Sequence, residues 1–524
     1  MEGNNMHSNY DKQPYVVAEG FGNEHCFARY DEILKELSGK FKNKKKVILA
    51  IDCYPGVRVE ELKKGLIEKI PASLVIYSDE EAFYDDACIN EKIKDCMTDD
   101  RVFGIMTHFK LKLFLDDVKT EKIRQKIRDT AGIIVIYGVG ASLVFEPDLY
   151  VYADLARWEI QHRYRSGEIP NWKSDNYTED VLKKFKRGYF FEWRIADEHK
   201  KNNYAWAFDC VPEENSLLIK VGDLIVETPA MNLVLRYPKE LLGEKVFAMF
   251  GAEFPIRLDF LDTYEGQNLS LQVHPLKDYI YRNFGMPYTQ DESYYILDAK
   301  EDAHVYLGVQ TGIDREAFLS DLRKGEAGEI SFPAEKYINI FPAKKHDHFL
   351  IPAGTIHCSG SNTVVLEVSA TPYIFTFKLW DWGRPGLDGR PRPVHIEHGS
   401  HVIQYNRDTE WVRENLINRI VPIAKGDGWQ EERTGLHELE PLETRRHWFT
   451  KPVLHDTEGR VNVLNLVEGR ECIVESPTDA FEPFIVHYAE TFIVPADVGK
   501  YLTRPYGESE GKEIATLKVY VREI

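Results

Sequence analysis

Asn268-Leu269-Ser270-Leu271-Gln272-Val273-His274-Pro275 is the stretch whose reading decides the fold of this chain. In an extended strand alternate side chains share a face, so Gln272 and His274 point one way and Leu271 and Val273 the other. A strand with a polar, metal-capable face and an apolar face is expected to line a β-barrel or sandwich. Taken alone, Gln-x-His is also compatible with a hydrogen-bonded polar pair, and the neighbouring sequence decides between the two.

Glu292 opens Glu292-Ser293-Tyr294-Tyr295-Ile296-Leu297, whose apolar run predicts a neighbouring strand able to return a carboxylate to the same face. Ile351-Pro352-Ala353-Gly354-Thr355-Ile356-His357 places a Pro-x-Gly turn just before an imidazole, which would deliver it at the start of a strand. Gln272, His274, Glu292 and His357 together form a donor set for one divalent transition metal. Zinc is the first choice, while the oxygen donors also admit Mn²⁺, Fe²⁺ or Co²⁺.

Outward from this core the chain changes texture. From about residue 205 onward, short alternating or aromatic-rich runs broken by Gly and Pro predict antiparallel β-structure, with Phe349-Leu350-Ile351, Val364-Val365-Leu366, Arg460 to Leu466 and Phe492-Ile493-Val494 as strands and a short helix over Asp408 to Leu416. Upstream, the apolar runs Val47 to Ile51, Ser73 to Tyr77 and Ile133 to Tyr137 alternate with helix-period stretches such as Glu60 to Lys69 and Val118 to Arg128. That alternation predicts a parallel α/β sheet.

At 524 residues the chain calls for more than one core, and 43% hydrophobic residues suffice to build them. The formal net charge of −19 argues against a nucleic-acid partner and for a small molecule. The seven cysteines are scattered without a C-x-x-C pair and read as reduced thiols. No apolar run is long enough to cross a bilayer and the polar Met1 to Asp11 has no signal-peptide core, so no membrane partner and a cytoplasmic location are expected.

The segments around the donor set, with Leu241 to Val246, Phe254-Pro255, Trp380-Asp381-Trp382 and Arg390 to Ile396, resemble the class I mannose-6-phosphate isomerases over about residues 215–524. The resemblance implies two cupin barrels, the second without metal. It also implies a metal-dependent conversion of an aldose to a ketose, mannose 6-phosphate to fructose 6-phosphate or a related sugar, through a cis-enediol. It makes Gln272, His274, Glu292 and His357 the ligands, Glu367 the base and Ser270 a hydroxyl that touches the substrate phosphate. Lys378 stands where the family has a catalytic Arg, keeping the charge without the bidentate fork, and Arg384 supplies a second cation nearby. Two other cationic positions of the family fall near Asp259 and Gln290. The alternative is a metal-containing, sugar-binding regulatory cupin without turnover.

Residues about 45–165 resemble a nucleoside-kinase-like P-loop domain more distantly. Where G-x-x-x-x-G-K-[ST] is required, the chain reads Ile51 to Arg58, with Val57 and Arg58 at the Lys and hydroxyl positions; phosphoryl transfer from ATP is therefore not expected. Asp52 and Asp79 are candidates for a cation or sugar, or else structural acceptors. Arg157, His162, Arg163 and Arg165 read as an ion-paired helix face or an anion site. The expected organisation is an N-terminal extension (1–30), a degenerate kinase-like domain (31–204) serving scaffolding, homodimerisation or ligand sensing, a metal-binding catalytic cupin (205–400), a helical connector (401–440) and a second cupin-like domain (441–524).

Overall fold

The computed structural model describes residues 27, 29–203, 216–220, 234, 237–386, 392–435 and 437–522. The N-terminal extension, Cys26, Cys210 and the Arg390-Pro391 part of the quoted motif lie outside the described residues. Two compact units meet between residues 236 and 237.

The first unit is built on five parallel strands, β1 (Lys46–Cys53), β2 (Leu74–Tyr77), β3 (Gly132–Gly138), β4 (Leu149–Asp154) and β5 (Ser216–Lys220), in the order β2-β3-β1-β4-β5. Both faces are covered, as a parallel sheet requires. Val47, Leu49 and Ile51 enter one core while Ile48 and Ala50 enter the other. Strand β5 corrects the expected boundary after residue 204. Ser216–Lys220 pairs with Tyr150–Asp154, so the α/β unit claims a segment whose short apolar run suited either neighbour.

The loop after β1 is folded in on itself. Tyr54 N–H donates to Ala153 O (2.9 Å) and Val57 N–H to Tyr54 O (3.1 Å). A Cβ at Gly56, whose φ is +102°, would meet Ile160 and Leu155 at 3.2 Å. Asp52 accepts from Ser142 N–H (3.0 Å) and Oγ–H (2.6 Å) and lies 3.0 Å from His199 Nε2. Asp79 accepts from Val139 N–H (2.9 Å) and from the Trp172 indole. The helix Arg157–Ser166 is ion-paired, Arg157 with Asp197 and Arg163 with Glu159, and Arg163 also donates to Gly56 O.

The second unit contains two pairs of antiparallel sheets. In the first pair, β6 (Ile256–Asp262), β8 (Asp291–Ala299), β11 (His348–Ile351) and β13 (Thr363–Ala370) form one sheet, in the order β11-β8-β13-β6. Its partner comprises β7 (Leu271–Val273), β9 (His304–Val309), β10 (Ile338–Pro342), β12 (His357–Ser359) and β14 (Phe377–Trp380), in the order β10-β9-β12-β7-β14. Tyr294, Ile296, Phe349, Ile351 and Val365 from the one sheet and Val305, Leu307 and Phe341 from the other share a buried core.

The second pair holds a six-stranded sheet of β15 (Val421–Gly426), β16 (Trp429–Gly435), β17 (Leu442–Phe449), β19 (Asn462–Glu468), β22 (Thr491–Val494) and β24 (Ile514–Val521). Its partner has β18 (Val453–Asp456), β20 (Glu471–Glu475), β21 (Phe484–His487) and β23 (Lys500–Pro505). The segment 401–440 does carry a helix at Thr409–Asn415, but its latter half is the β15–β16 hairpin rather than helix. Strand β15 is exposed throughout and β16 runs Glu431-Glu432-Arg433, so neither shows the apolar alternation that signals a strand.

Where the two sheet pairs adjoin, His348 is buried and its Nδ1 lies 3.1 Å from Thr434 Oγ1. Burial, aided by Arg446, pulls its pKa down from 6.5 to about 3. The native state therefore binds fewer protons than the unfolded chain between these values, so this contribution is full above about pH 6.5 and is lost as pH falls towards 3. Thermal melts between pH 7 and pH 4 should show the β unit losing stability, with a shallower loss in His348→Gln; parallel profiles would refute the assignment. In the first unit, ATP turnover is expected to be absent with Mg²⁺, and turnover abolished by mutating Gly56 would contradict the collapsed loop.

Candidate metal centre

The ligand positions follow from strand register. His357 opens β12 and pairs with Gln272 on β7, which pairs in turn with Lys378 on β14. Residues opposed in a ladder share a face, so Lys378, Gln272 and His357 form one row across the sheet. On the opposing sheet Glu292 pairs with Ser369, and Ser369 with Arg257; one pleat along, Tyr294 pairs with Glu367, and Glu367 with Asp259.

Four turn residues aim His357. Gly354 takes φ +90°, and a Cβ there would lie 2.9 Å from Val402 O. Gly354 N–H donates to His274 O (2.9 Å) and Ala353 N–H to Asp291 Oδ1 (2.7 Å). Buried Arg407 donates to Pro352 O (2.8 Å) and Ala353 O (2.7 Å). The turn is thus tied to the residues beside two other ligands.

Both imidazoles are oriented from behind. The Nδ1 of His274 donates to Phe375 O and that of His357 to Thr355 O, each at 2.9 Å. This is the backing that fixes the tautomer of a metal-binding histidine and leaves the Nε2 lone pair free. The two Nε2 atoms converge on Glu292 at 3.1 and 2.8 Å. One ligand atom from each of His274, Glu292 and His357 lies within 4.8 Å of the others. His274 Nε2 and Glu292 Oε1 are buried without a hydrogen bond of acceptable geometry, despite their closeness. Orphaned acceptors of this kind are costly unless something occupies the space between them.

The Gln272 amide completes the set. Its Nε2 lies 3.2 Å from His357 Nε2, and a half-turn of the amide brings its carbonyl oxygen inward. Two imidazoles, a carboxylate and an amide oxygen suit a divalent transition metal, so the residues present fit the group expected from sequence.

Electrostatics agree. Burial favours neutral forms, yet the Glu292 carboxylate and the Phe375 carbonyl hold His274 above its ordinary pKa, while the two imidazoles hold Glu292 well below the usual carboxylate range. Glu367 is raised to about 9, first by burial and then by Glu292. It accepts from Ser369 Oγ–H at 2.7 Å. Gln290, which the sequence offered only as a missing cation, bridges the two carboxylates: its Nε2 lies 2.8 Å from Glu292 and 3.4 Å from Glu367. Its position two residues before Glu292 puts it on the same face, but its contact with Glu367 depends on β13 pairing with β8, which the local sequence does not encode.

The remaining sequence-selected residues gather on Asp381, which is buried. Ser270 Oγ–H donates to it at 2.8 Å, Arg384 Nε at 3.1 Å and Arg392 Nη1 at 3.3 Å. Ser270 and Arg384 are therefore partnered by protein. Lys378, whose pKa is lowered by burial and partly restored by Asp381, makes no side-chain hydrogen bond among the described residues. Asp259 is neutralised in part by Arg257 Nη2 at 2.7 Å, whereas Arg257 Nη1 is buried without a partner.

Residues 29–217 match the family described as "Domain of unknown function (DUF8485)". The chain is 31% identical over 153 residues to the probable mannose-6-phosphate isomerase GmuF of Bacillus subtilis (strain 168), covering 29% of this chain and 45% of that protein. It is 28% identical over 154 residues to the mannose-6-phosphate isomerase ManA of the same organism, covering 29% and 45%. A mannose-6-phosphate isomerase of Streptococcus mutans serotype c (strain ATCC 700610 / UA159) matches at 27% over 198 residues, 38% of this chain and 57% of that one. The chain thus spans about half the length of these relatives. Among solved structures, the mannose 6-phosphate isomerase from Bacillus subtilis aligns with TM-score 0.45 and 18% identity over 56% of this chain and 82% of that one. Over the matched stretch this chain is similar to the mannose-6-phosphate isomerases.

Elemental analysis should find about one divalent ion per chain, lost in His274→Ala and His357→Ala. Protons compete for the same Nε2 atoms, so metal content should fall as pH drops through the raised titration of His274. Arg407→Met, which loosens the turn without removing a ligand, should weaken metal affinity by about 10-fold. Folded wild-type protein that takes up no metal at neutral pH would refute the centre.

Proposed function

We propose that this chain is a metal-dependent aldose–ketose isomerase acting on a sugar or sugar phosphate, with mannose 6-phosphate and fructose 6-phosphate as the leading pair. The observation that carries this reading is the pairing of two buried carboxylates with different surroundings, Glu292 among imidazoles and Glu367 beside it across the Gln290 amide. Pairs of titratable groups driven apart in pKa are what acid–base chemistry uses.

A zinc-like cation held by Gln272, His274, Glu292 and His357 would supply Lewis acidity for substrate oxygens and offset the Glu292 charge that raises Glu367. Glu367 is the group that takes a proton from one carbon and returns it to the next. Ser369 holds the Glu367 carboxylate in place, and burial keeps bulk water from competing for the proton. Lys378 shares its row with Gln272 and His357 and faces the developing oxyanion as a point charge. Asp381 organises the cationic side, holding Ser270, Arg384 and Arg392 as a rim able to meet a phosphate.

The second reading, a sugar-binding regulator without turnover, is favoured by the commitment of Ser270 and Arg384 to Asp381 and by Asp259 and Gln290 at expected cation positions. Proton exchange at C2 of free and 6-phosphorylated aldoses and ketoses in heavy water separates the two. An isomerase should exchange only with metal bound, and Glu367→Gln should lower the rate by at least about 100-fold with binding retained. Lys378→Met should reduce the rate less. Sugar binding without exchange across the panel would favour the regulator.

A further inference from the structure

Beside an apolar core that includes Phe449, Leu464, Leu466 and Val474, the second sheet pair carries a cluster of polar and charged side chains. A pocket of about 370 Å³ opens there, lined among others by Trp429, Glu431, Arg445, His447, Lys518 and Tyr520, a volume in the range of small-molecule sites. The register explains how the polar groups meet. Arg445 pairs with Lys518 and His447 with Thr516 across β17 and β24, while Glu431 on β16 pairs with His447. These side chains therefore share one face of the six-stranded sheet.

The charges in this pocket are unequally satisfied. Arg445 is paired with Glu431 at 3.1 Å and also with Glu443. Glu431 is held at about 2, against the effect of burial, by His447, Lys518 and Arg445, and so remains ionised. Lys518 is 8% exposed, and its ammonium makes no hydrogen bond or ion pair among the described residues and lies 5.7 Å from the centre of the Tyr520 ring. Burial draws its pKa below the ordinary lysine value, with Glu431 opposing the shift. His447 is 2% exposed and its Nδ1 is buried without a partner. A buried amine that lines the pocket without a partner of its own, beside a buried imidazole nitrogen that is also unsatisfied, is expensive in a purely structural domain.

The carboxylate of Glu431 opposite Lys518 gives the pocket an acceptor as well as a cation, and the Trp429 and Tyr520 rings give it aromatic walls. An anionic head meets Lys518, a hydroxylated body meets Glu431 and His447, and the carbon face of a sugar ring meets the aromatic walls. We infer that this pocket binds a sugar acid, either phosphorylated or carboxylated, at a site separate from the metal centre. The inference does not rest on the isomerase reading, because none of its residues belongs to that site.

Calorimetric titration of full-length protein with a hexose 6-phosphate, a hexuronate, inorganic phosphate and a neutral hexose, in wild type and Lys518→Met, tests the assignment. Wild type should bind one more equivalent of a sugar acid than Lys518→Met, or bind it at least tenfold more tightly, and the two acids distinguish phosphate from carboxylate as the head group. Metal-dependent proton exchange should be unchanged in Lys518→Met, whereas loss of the metal centre would leave this binding intact. Should that variant not fold, reductive methylation of wild-type Lys518, read by peptide mass spectrometry, should be slowed several-fold by the bound acid. Identical isotherms in both proteins, equal binding of the neutral hexose, or unprotected Lys518 would overturn the proposal.

Discussion

Two imidazole nitrogens brought against one carboxylate inside a β-sheet core are the constraint on which the first sheet pair depends. Glu292, His274 and His357 are all buried, and such groups destabilise a core unless each has a partner. Their outer edges are satisfied by backbone carbonyls from Phe375 and Thr355. The segments that carry those carbonyls, just before β14 and β12, must therefore be held in a fixed position against the ligands. The turn at Pro352 to Thr355 is pinned for the same reason, by His274 O, Asp291 and Arg407 acting from three directions. Packing alone would tolerate a slipped β12, but the polar contacts would not, because a one-residue slip turns His357 out of the interior.

That constraint explains why the ligand set was legible in the sequence. Gln272 and His274 differ by two, Gly354 marks a turn that a Cβ would obstruct, and Glu292 leads an apolar run: each is a local signal with a geometric meaning. The parallel strands β1 to β3 were legible by the same logic of apolar runs between helical stretches. Gln290 was not legible as a bridge between carboxylates, since its role depends on β8 lying beside β13, which no local pattern encodes. The β15–β16 hairpin was missed for the opposite reason: Glu431-Glu432-Arg433 hides its alternation, because inward positions there carry charge rather than carbon.

Asp381 shows how a sequence can name the right residues without their relationship. Ser270 and Arg384 stood out as separate substrate contacts, yet the fold makes them partners of one buried carboxylate. A cation held by a carboxylate is less available but better placed, since its rotamer freedom has already been lost. The Lys378 ammonium, which burial pushes towards its neutral form and Asp381 helps to keep charged, makes no such hydrogen bond and is left for whatever enters. The two arrangements divide labour between a fixed rim and a free point charge.

The same reasoning separates the two units. In the first, the polar groups near the end of β1 are closed on one another: Asp52 on Ser142 and His199, Asp79 on Val139 and Trp172, Arg163 on Glu159 and Gly56. A loop whose amides and carboxylates are spent internally has little left with which to cradle phosphate, and its Gly56 is pressed against Ile160 and Leu155 rather than facing an open nest. Buried unsatisfied atoms occur in both units, Arg163 Nη2 and Tyr189 Oη in the first and His274 Nε2, Glu292 Oε1 and His447 Nδ1 in the second, but at the metal centre the ligand atoms of three residues converge. An isolated buried polar atom is tolerated, whereas several ligand atoms that converge on one point require an occupant. By that criterion the metal centre, and not the loop after β1, is the place that calls for an occupant.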